Sequence, residues 1–415
     1  MSDRYRIGQP ALRRPRLAVS GIFLLVGIML GTWFARLPAV RDELGVSYGE
    51  FGAVLLAQTI GVIVALQFAG RITARFGTKA VIRLTSVVVP WFLPLAASMP
   101  NALAAGSAML GWGLIAGLLD VGMTAQGVRL EQIARRPILN SLHAVWGVGA
   151  LIGSLLSVLA ERIGWSLGEH FWIVATVLVI IALASGRHLL PESAAPTAQR
   201  SGPTRTSRPG LLTGWTRAVV LLGVLGAAAS LCESAVSSWC GIFLQEQRGA
   251  PAGLASLGYT AFVLAETAAR TVGDRLHSRF GAVTLVRGAM AVTVGGVVLA
   301  IAVPWPWISI AGFALQGCGI AVLVPIISGA VGHGAADSGD GQDGSSATSL
   351  AIARFSTLYY AGVVAGPSVI GWMAQAFGIG TALGLLIVPL TAIGLLAATT
   401  APASRVNQAA QRVPS

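Results

Sequence analysis

Long apolar runs alternate with short polar breaks along almost the whole chain. Runs fall near 17–36, 50–70, 79–98, 102–127, 140–160, 169–189, 215–244, 252–272, 282–303, 306–330, 346–370 and 376–398. A helix that crosses a bilayer takes about 20 apolar residues, so each run predicts one spanning helix. The longest polar interruption, 191–214, is rich in Pro, Ser, Thr and Arg and reads as a flexible linker. It parts the runs into two sets of six. The expected organisation is an N-terminal tail over 1–16, a six-helix bundle over 17–190, the linker over 191–214, a second bundle over 215–398 and a tail over 399–415. The fold class that follows is an all-α polytopic membrane protein of twelve transmembrane helices in two pseudo-repeated six-helix bundles.

Composition agrees. Of 415 residues 54% are hydrophobic and 11% charged, whereas soluble domains average about a quarter charged. A soluble domain, a disordered chain, a disulfide scaffold and a collagen-like repeat are excluded. The net charge of +12 does not signal nucleic acid, because the basic residues sit in short clusters between apolar runs, as in cytoplasmic loops. With the N-terminus inside, the inner segments collect 22 Arg and Lys and the outer ones four, namely Arg36, Arg41, Arg162 and Arg248. Both termini are therefore expected in the cytoplasm. The acidic loop 331–345 dissents, but acids weigh little in this rule. The first run lacks a cleavage pattern and reads as a retained helix. Cys232, Cys240 and Cys318 lie inside apolar runs and read as small core residues. Cys232 and Cys240 stand about 12 Å apart by helical rise, too far to bridge.

The halves repeat each other. Arg71–Arg83 (RITARFGTKAVIR) and Arg275–Arg287 (RLHSRFGAVTLVR) share the pattern R-[IL]-x-x-R-F-G-x5-R at an offset of 204 residues, each after the second run of its half. At nearly the same offset Trp33 answers Trp239. Parallel six-span repeats are a transporter design with the substrate site near mid-membrane.

These residues resemble the major facilitator superfamily. Gly70, Arg71, Arg75, Gly77 and Lys79 follow its loop signature G-x-x-x-D-R-x-G-R-[KR], with Ala74 in place of the acid and Thr78 in place of an Arg. Asp274, Arg275, Arg279 and Gly281 form a looser second copy. The resemblance implies a loop that helps lock one conformation, a lock weakened here by the missing acid. Segments 31–45, 118–153, 231–239, 269–281 and 360–371 look like a bacterial branch near the fucose-permease-like sugar:proton symporters. Thr124 stands where that branch has Asn, Ser238 where it often has Asp, and the symporters' acid in span one is absent.

Ionisable groups inside spans mark function by default, because their burial is costly. Asp120 in span four is the first candidate for proton coupling, against a structural ion pair. Glu233 in span seven is the second, against a helix–helix hydrogen bond. His143 at the start of span five reads as a relay partner of Asp120 or as packing, with Asp120 expected near the inner end of span four. Glu266 and Arg270, four apart, read as an intrahelical pair. Substrate-binding candidates are Trp33, Gln126, Asn140, Trp239, Arg354 and Tyr360. The aromatic rings among them serve equally as interface or packing groups, and Arg354 could equally pair or snorkel. Arg36 and Arg41 read as rim positions. Gly149, Gly153, Gly362 and Gly366 read as close helix packing.

Absences bound the chemistry. The sole lysine, Lys79, stands in GTKA, so the chain has no Walker A loop. There is no C-x-x-C, H-E-x-x-H or G-x-S-x-G. Asp337, Asp340 and Asp343 lack the spacing of an EF-hand loop. No catalytic site, metal or cofactor is expected, and the chain reads as no enzyme. The reading is a monomeric, proton-coupled secondary transporter in a bacterial inner membrane. Its partners are a small polar solute (by resemblance a sugar), protons and the lipid bilayer, with no nucleic acid. Two alternatives stay open, a proton-driven exporter and a non-transporting sensor on a transporter fold.

Overall fold

The structure, a computed structural model, describes residues 9–135, 138–191, 214–336 and 342–401. Most of the expected linker and terminal tails, and part of the acidic loop, lie outside the described residues. The first half comprises α1 (Gln9–Ala35), α2 (Leu37–Leu44), α3 (Tyr48–Phe76), α4 (Thr78–Val88), α5 (Phe92–Ala97), α6 (Ala102–Ala134), α7 (Leu139–Arg162) and α8 (Leu167–Gly186). The second comprises α9 (Arg217–Arg248), α10 (Ala252–Phe280), α11 (Ala282–Ala302), α12 (Pro306–Ile320), α13 (Leu323–Ala336), α14 (Gln342–Phe377), α15 (Ile379–Gly384) and α16 (Ile387–Leu395). The described residues form no strand. The chain is a multi-pass, all-helical membrane protein.

Ten helical stretches among the described residues are long and apolar enough to cross a membrane. The other two expected spans, 252–272 and 346–370, lie within α10 and α14, which are 29 and 36 residues long. Within these two runs stand charged residues, Glu266 and Arg270 in one and Arg354 in the other.

Helix boundaries follow local chemistry. Ser47 with Glu50 and Ser166 with Glu169 form capping boxes that start α3 and α8, and Asn101 caps α6. At α7 a distant acid does this work: Glu131 accepts hydrogen bonds from the Ile138 and Leu139 amides at 2.6 and 2.8 Å. Two spans break four residues before a proline. α12 gives way to α13 around Ala321, ahead of Pro325, and α15 to α16 around Leu385, ahead of Pro389. A proline ring clashes with the carbonyl four residues back, which explains both positions. The third span likewise interrupts at Val89–Trp91, around Pro90.

Contacts divide the chain into two units. One holds 1–200 with 249–260, and the other 201–248 with 261–415. The first turns of α10 thus count with the first unit, although the sequence assigned them to the second bundle.

Within the first unit α1 packs on α7 and α3 on α6; within the second α9 packs on α14 and α11 on α12. Glycines make these contacts close. A Cβ on Gly149 would stand 2.5 Å from the Leu24 carbonyl oxygen, and one on Gly153 2.2 Å from that of Ile28. In the second unit a Cβ on Gly362 would stand 2.0 Å from the Ala227 oxygen and one on Gly366 2.6 Å from that of Leu231. The first and fifth spans of each half therefore meet backbone to backbone, as the small-residue spacing predicts.

The loop repeat is also structural. Gly77 (φ 81°, ψ 146°) and Gly281 (φ 75°, ψ 162°) share a conformation open essentially to glycine alone. Arg75 lies over Phe76 at 5.4 Å and Arg279 over Phe280 at 5.3 Å. Cys232 and Cys240 are buried, as expected of core residues, but Cys318 is exposed. It lies in α12 between the buried Gly317 and Gly319.

Candidate functional site

In the second unit three helices bring charged and aromatic groups together at mid-height. Glu233 lies halfway along α9, Glu266 halfway along α10 and Tyr359 halfway along α14. Arg270, one turn beyond Glu266, donates a hydrogen bond to Glu266 Oε1, the intrahelical pair expected from the spacing. Its Nη2 also lies 3.6 Å from Glu233 Oε1. The carboxyl groups of Glu233 and Glu266 are themselves within side-chain hydrogen-bonding reach. Two carboxyl groups and one guanidinium thus share one site. Exposure grades across it: the Glu266 side chain is 7% exposed, Glu233 23% and Arg270 43%. Tyr359 stands within electrostatic reach of the cluster, held between Phe355 at 6.2 Å and Tyr360 at 5.5 Å. Tyr360 is exposed.

In the first unit Asp120 stands halfway along α6, half-buried, with no hydrogen bond or ion pair among the described residues. Its expected place near the inner end of span four is corrected, because α6 runs to Ala134, about 21 Å further by helical rise. His143 lies only four residues into α7, exposed, its ring edge-on to Phe23 at 5.3 Å. No hydrogen bond joins the two, and of the two readings of His143 its contact with Phe23 fits packing.

Gln126 is also corrected. It is fully buried, and its amide is consumed by structure. Nε2 donates to Thr78 Oγ1 at 3.0 Å and to the Leu190 carbonyl at 3.1 Å, while Oε1 accepts from the Leu190 amide at 3.2 Å. This ties the ends of α4, α6 and α8. Asn140 is exposed at the start of α7.

The paired tryptophans do not line an open surface. Trp33 is 1% exposed and packs edge-on to Trp112 at 4.8 Å, and Trp239 is 0% exposed and donates to the Pro367 carbonyl at 2.9 Å. Both rings fill helix contacts inside their own units. Arg354, half-buried, lies over the Trp215 ring at 5.3 Å. Of the loop residues, Arg71, Arg75, Asp274, Arg275 and Arg279 are exposed, and Lys79 is half-exposed. Gly70 has open space where a Cβ would go, so only Gly77 and Gly281 are held to glycine by backbone conformation.

Sequence reasoning missed one buried polar centre. Arg36, read as a rim residue, is 3% exposed and pairs at 3.0 Å with Glu161, whose side chain is 5% exposed. Ser256 Oγ lies 2.7 Å from Glu161 Oε2 and 2.7 Å from the Ala35 carbonyl. His170, beside this pair, is 1% exposed. The available signal was an arginine at the end of one span and an adjacent Glu–Arg pair, Glu161 and Arg162, at the end of another, on two spans that glycines hold together.

The sequence profile of the Major Facilitator Superfamily matches residues 17–343. The chain belongs to the major facilitator superfamily. An uncharacterized transporter of this type from Yersinia pestis is 29% identical over 373 residues, 89% of this chain and 92% of that one. The membrane protein MosC of Rhizobium meliloti is 27% identical over 388 residues, 92% and 88% of the two chains. Among solved structures, the nucleoside transporter NupG superposes with a TM-score of 0.74 at 15% identity, covering 93% of this chain and 98% of that one. A bacterial homolog of the human lysosomal transporter Spinster gives 0.71 at 12% identity, covering 95% and 98%. At such identities the likeness is one of fold. In this superfamily member Gly77 and Gly281 each turn the chain between two spans, and Ala74 stands among the residues before the first of them.

Proposed function

We propose that this superfamily member is a proton-coupled secondary transporter of a small polar solute, working by alternating access. The Glu233–Glu266–Arg270 cluster carries the reading. A hydrogen bond between two carboxyl groups needs a proton on one of them. With that proton the two acids balance Arg270. Losing it leaves a net negative charge at mid-membrane, where charge is costly. The proton state of the pair is thereby linked to which face is open. Asp120 is the corresponding carboxyl of the first unit. Tyr360 and Arg354 on α14 are the substrate contacts best placed by exposure.

The sugar assignment rests on the resemblance of segments 31–45, 118–153 and 231–239 to the fucose-permease-like branch. NupG, by its fold, adds nucleosides to the solutes worth testing. The basic bias of 22 to 4 supports cytoplasmic termini, and bacterial relatives support the inner membrane.

The test is proton movement in proteoliposomes loaded with a pH dye and challenged with sugars, nucleosides and amphipathic drugs. Solute-evoked flux is expected in wild type and absent in Glu233→Gln, Glu266→Gln and Asp120→Asn. Flux intact in all three variants overturns coupling through these acids. A response to drugs alone, opposite in sign, replaces symport by antiport export.

A further inference from the structure

One end of the first unit holds two guanidinium groups with no acid partner among the described residues. The Arg83 side chain, on α4, lies across Gly186 at the end of α8, where a Cβ would come 3.0 Å from Arg83 Cγ and 3.7 Å from Nε. Glycine at 186 thus makes room for Arg83, and the residue that follows it in the chain is Arg187. Both are exposed, and neither side chain makes a hydrogen bond or ion pair among the described residues. The flanking segments 66–88 and 183–191 contain no acid, and Arg71, Arg75 and Lys79 add further positive charge. Glu131, on the same half, is occupied with the α7 amides.

Beyond the two arginines, α4 and α8 pack on each other and both carry exposed apolar side chains. Leu84 is 68% exposed, Ile180 61% and Leu183 53%. The face ends at Trp91 and Trp172, whose rings meet at 5.5 Å. Fifteen residues separate Trp172 from Arg187, about 22 Å along the helix. Tryptophan at one end and arginine at the other are interfacial anchors, and the length between suits an acyl chain. An isolated anion would be met by the arginines alone; only a lipid uses the whole surface.

We propose that Arg83 and Arg187 form a binding site for the headgroup phosphate of an anionic phospholipid, whose acyl chains lie along the α4/α8 face. Each arginine near an anionic headgroup contributes enough for about a fivefold change in affinity, so the two together give about 30-fold.

The test is native mass spectrometry of the full chain, delipidated in detergent and titrated with dioleoyl phosphatidylglycerol, dioleoyl phosphatidylcholine and glycerol phosphate. Phosphatidylglycerol is expected to bind wild type and the control Arg217→Gln alike. It should bind about 30-fold more weakly to the double variant Arg83→Gln/Arg187→Gln, and about fivefold more weakly to either single variant should the double not fold. Phosphatidylcholine and glycerol phosphate are expected not to compete. Retention within threefold in the variants overturns the site. Equal binding of phosphatidylcholine overturns the charge recognition, and competition by glycerol phosphate alone reduces it to a free-anion site.

Discussion

Glu161→Gln is the sharpest test of what holds the first unit together. Arg36 and Glu161 pair at 3.0 Å with both side chains at or below 5% exposure. The substitution keeps shape and removes only the charge. Arg36 then loses its counter-charge: an amide oxygen still accepts from its Nη1, its Nη2 keeps the Trp165 carbonyl at 3.5 Å, and its Nε has no partner. Breaking a buried pair on one side costs about 3–5 kcal/mol, well above the roughly 1 kcal/mol of an ordinary hydrogen bond. Replacing both charges by apolar groups of similar volume is often neutral. Unfolding is followed by denaturant titration in mixed micelles for wild type, Glu161→Gln, Arg36→Met and Arg36→Met/Glu161→Met. The single variants should lose about 3 kcal/mol or more and the double much less than their sum. A Glu161→Gln within about 0.5 kcal/mol of wild type, or strictly additive losses, refutes the buried-pair account, since both are the behaviour of a solvated surface pair.

Other substitutions probe the packing and the repeat. Gly153→Val places a Cβ against the Ile28 carbonyl and should lower the melting temperature sharply, whereas Gly168→Ala, with open space around it, should leave it unchanged. Gly77→Ala and Gly281→Ala should each cost about 1–3 kcal/mol for their backbone conformation, and by similar amounts, since their dihedral angles match. Unequal losses in thermal melts would show that the two loops are not equivalent. Gln126→Leu removes three hydrogen bonds around Leu190 and Thr78 and should destabilise by about 2 kcal/mol or more, with solute affinity of the surviving protein unchanged. An altered affinity would return Gln126 to the substrate site.

The sequence determined the class of this protein through properties each residue carries with it. Twenty-residue apolar runs have one low-energy state in a bilayer, a helix that satisfies its own backbone. The runs therefore mapped onto helices, the prolines at 90, 325 and 389 onto their breaks, and the two R-F-G loops onto matching turns. The four-residue spacing of Glu266 and Arg270 likewise predicted their pairing, because helical geometry fixes it.

What tertiary structure decided were the contacts between helices, which no local pattern encodes. Rotation about a helix axis puts Trp33, Trp239 and Gln126 inside helix contacts and leaves Tyr360 outside. Helix length moved Asp120 to mid-height and away from His143. Packing of α9 on its neighbours joined Glu233 to a pair that seemed self-contained, and packing of α1 on α7 buried Arg36 against an acid 125 residues away. A charge's partner depends on which helix faces fit at glycine-close distance, and that is settled only when all the faces are packed at once.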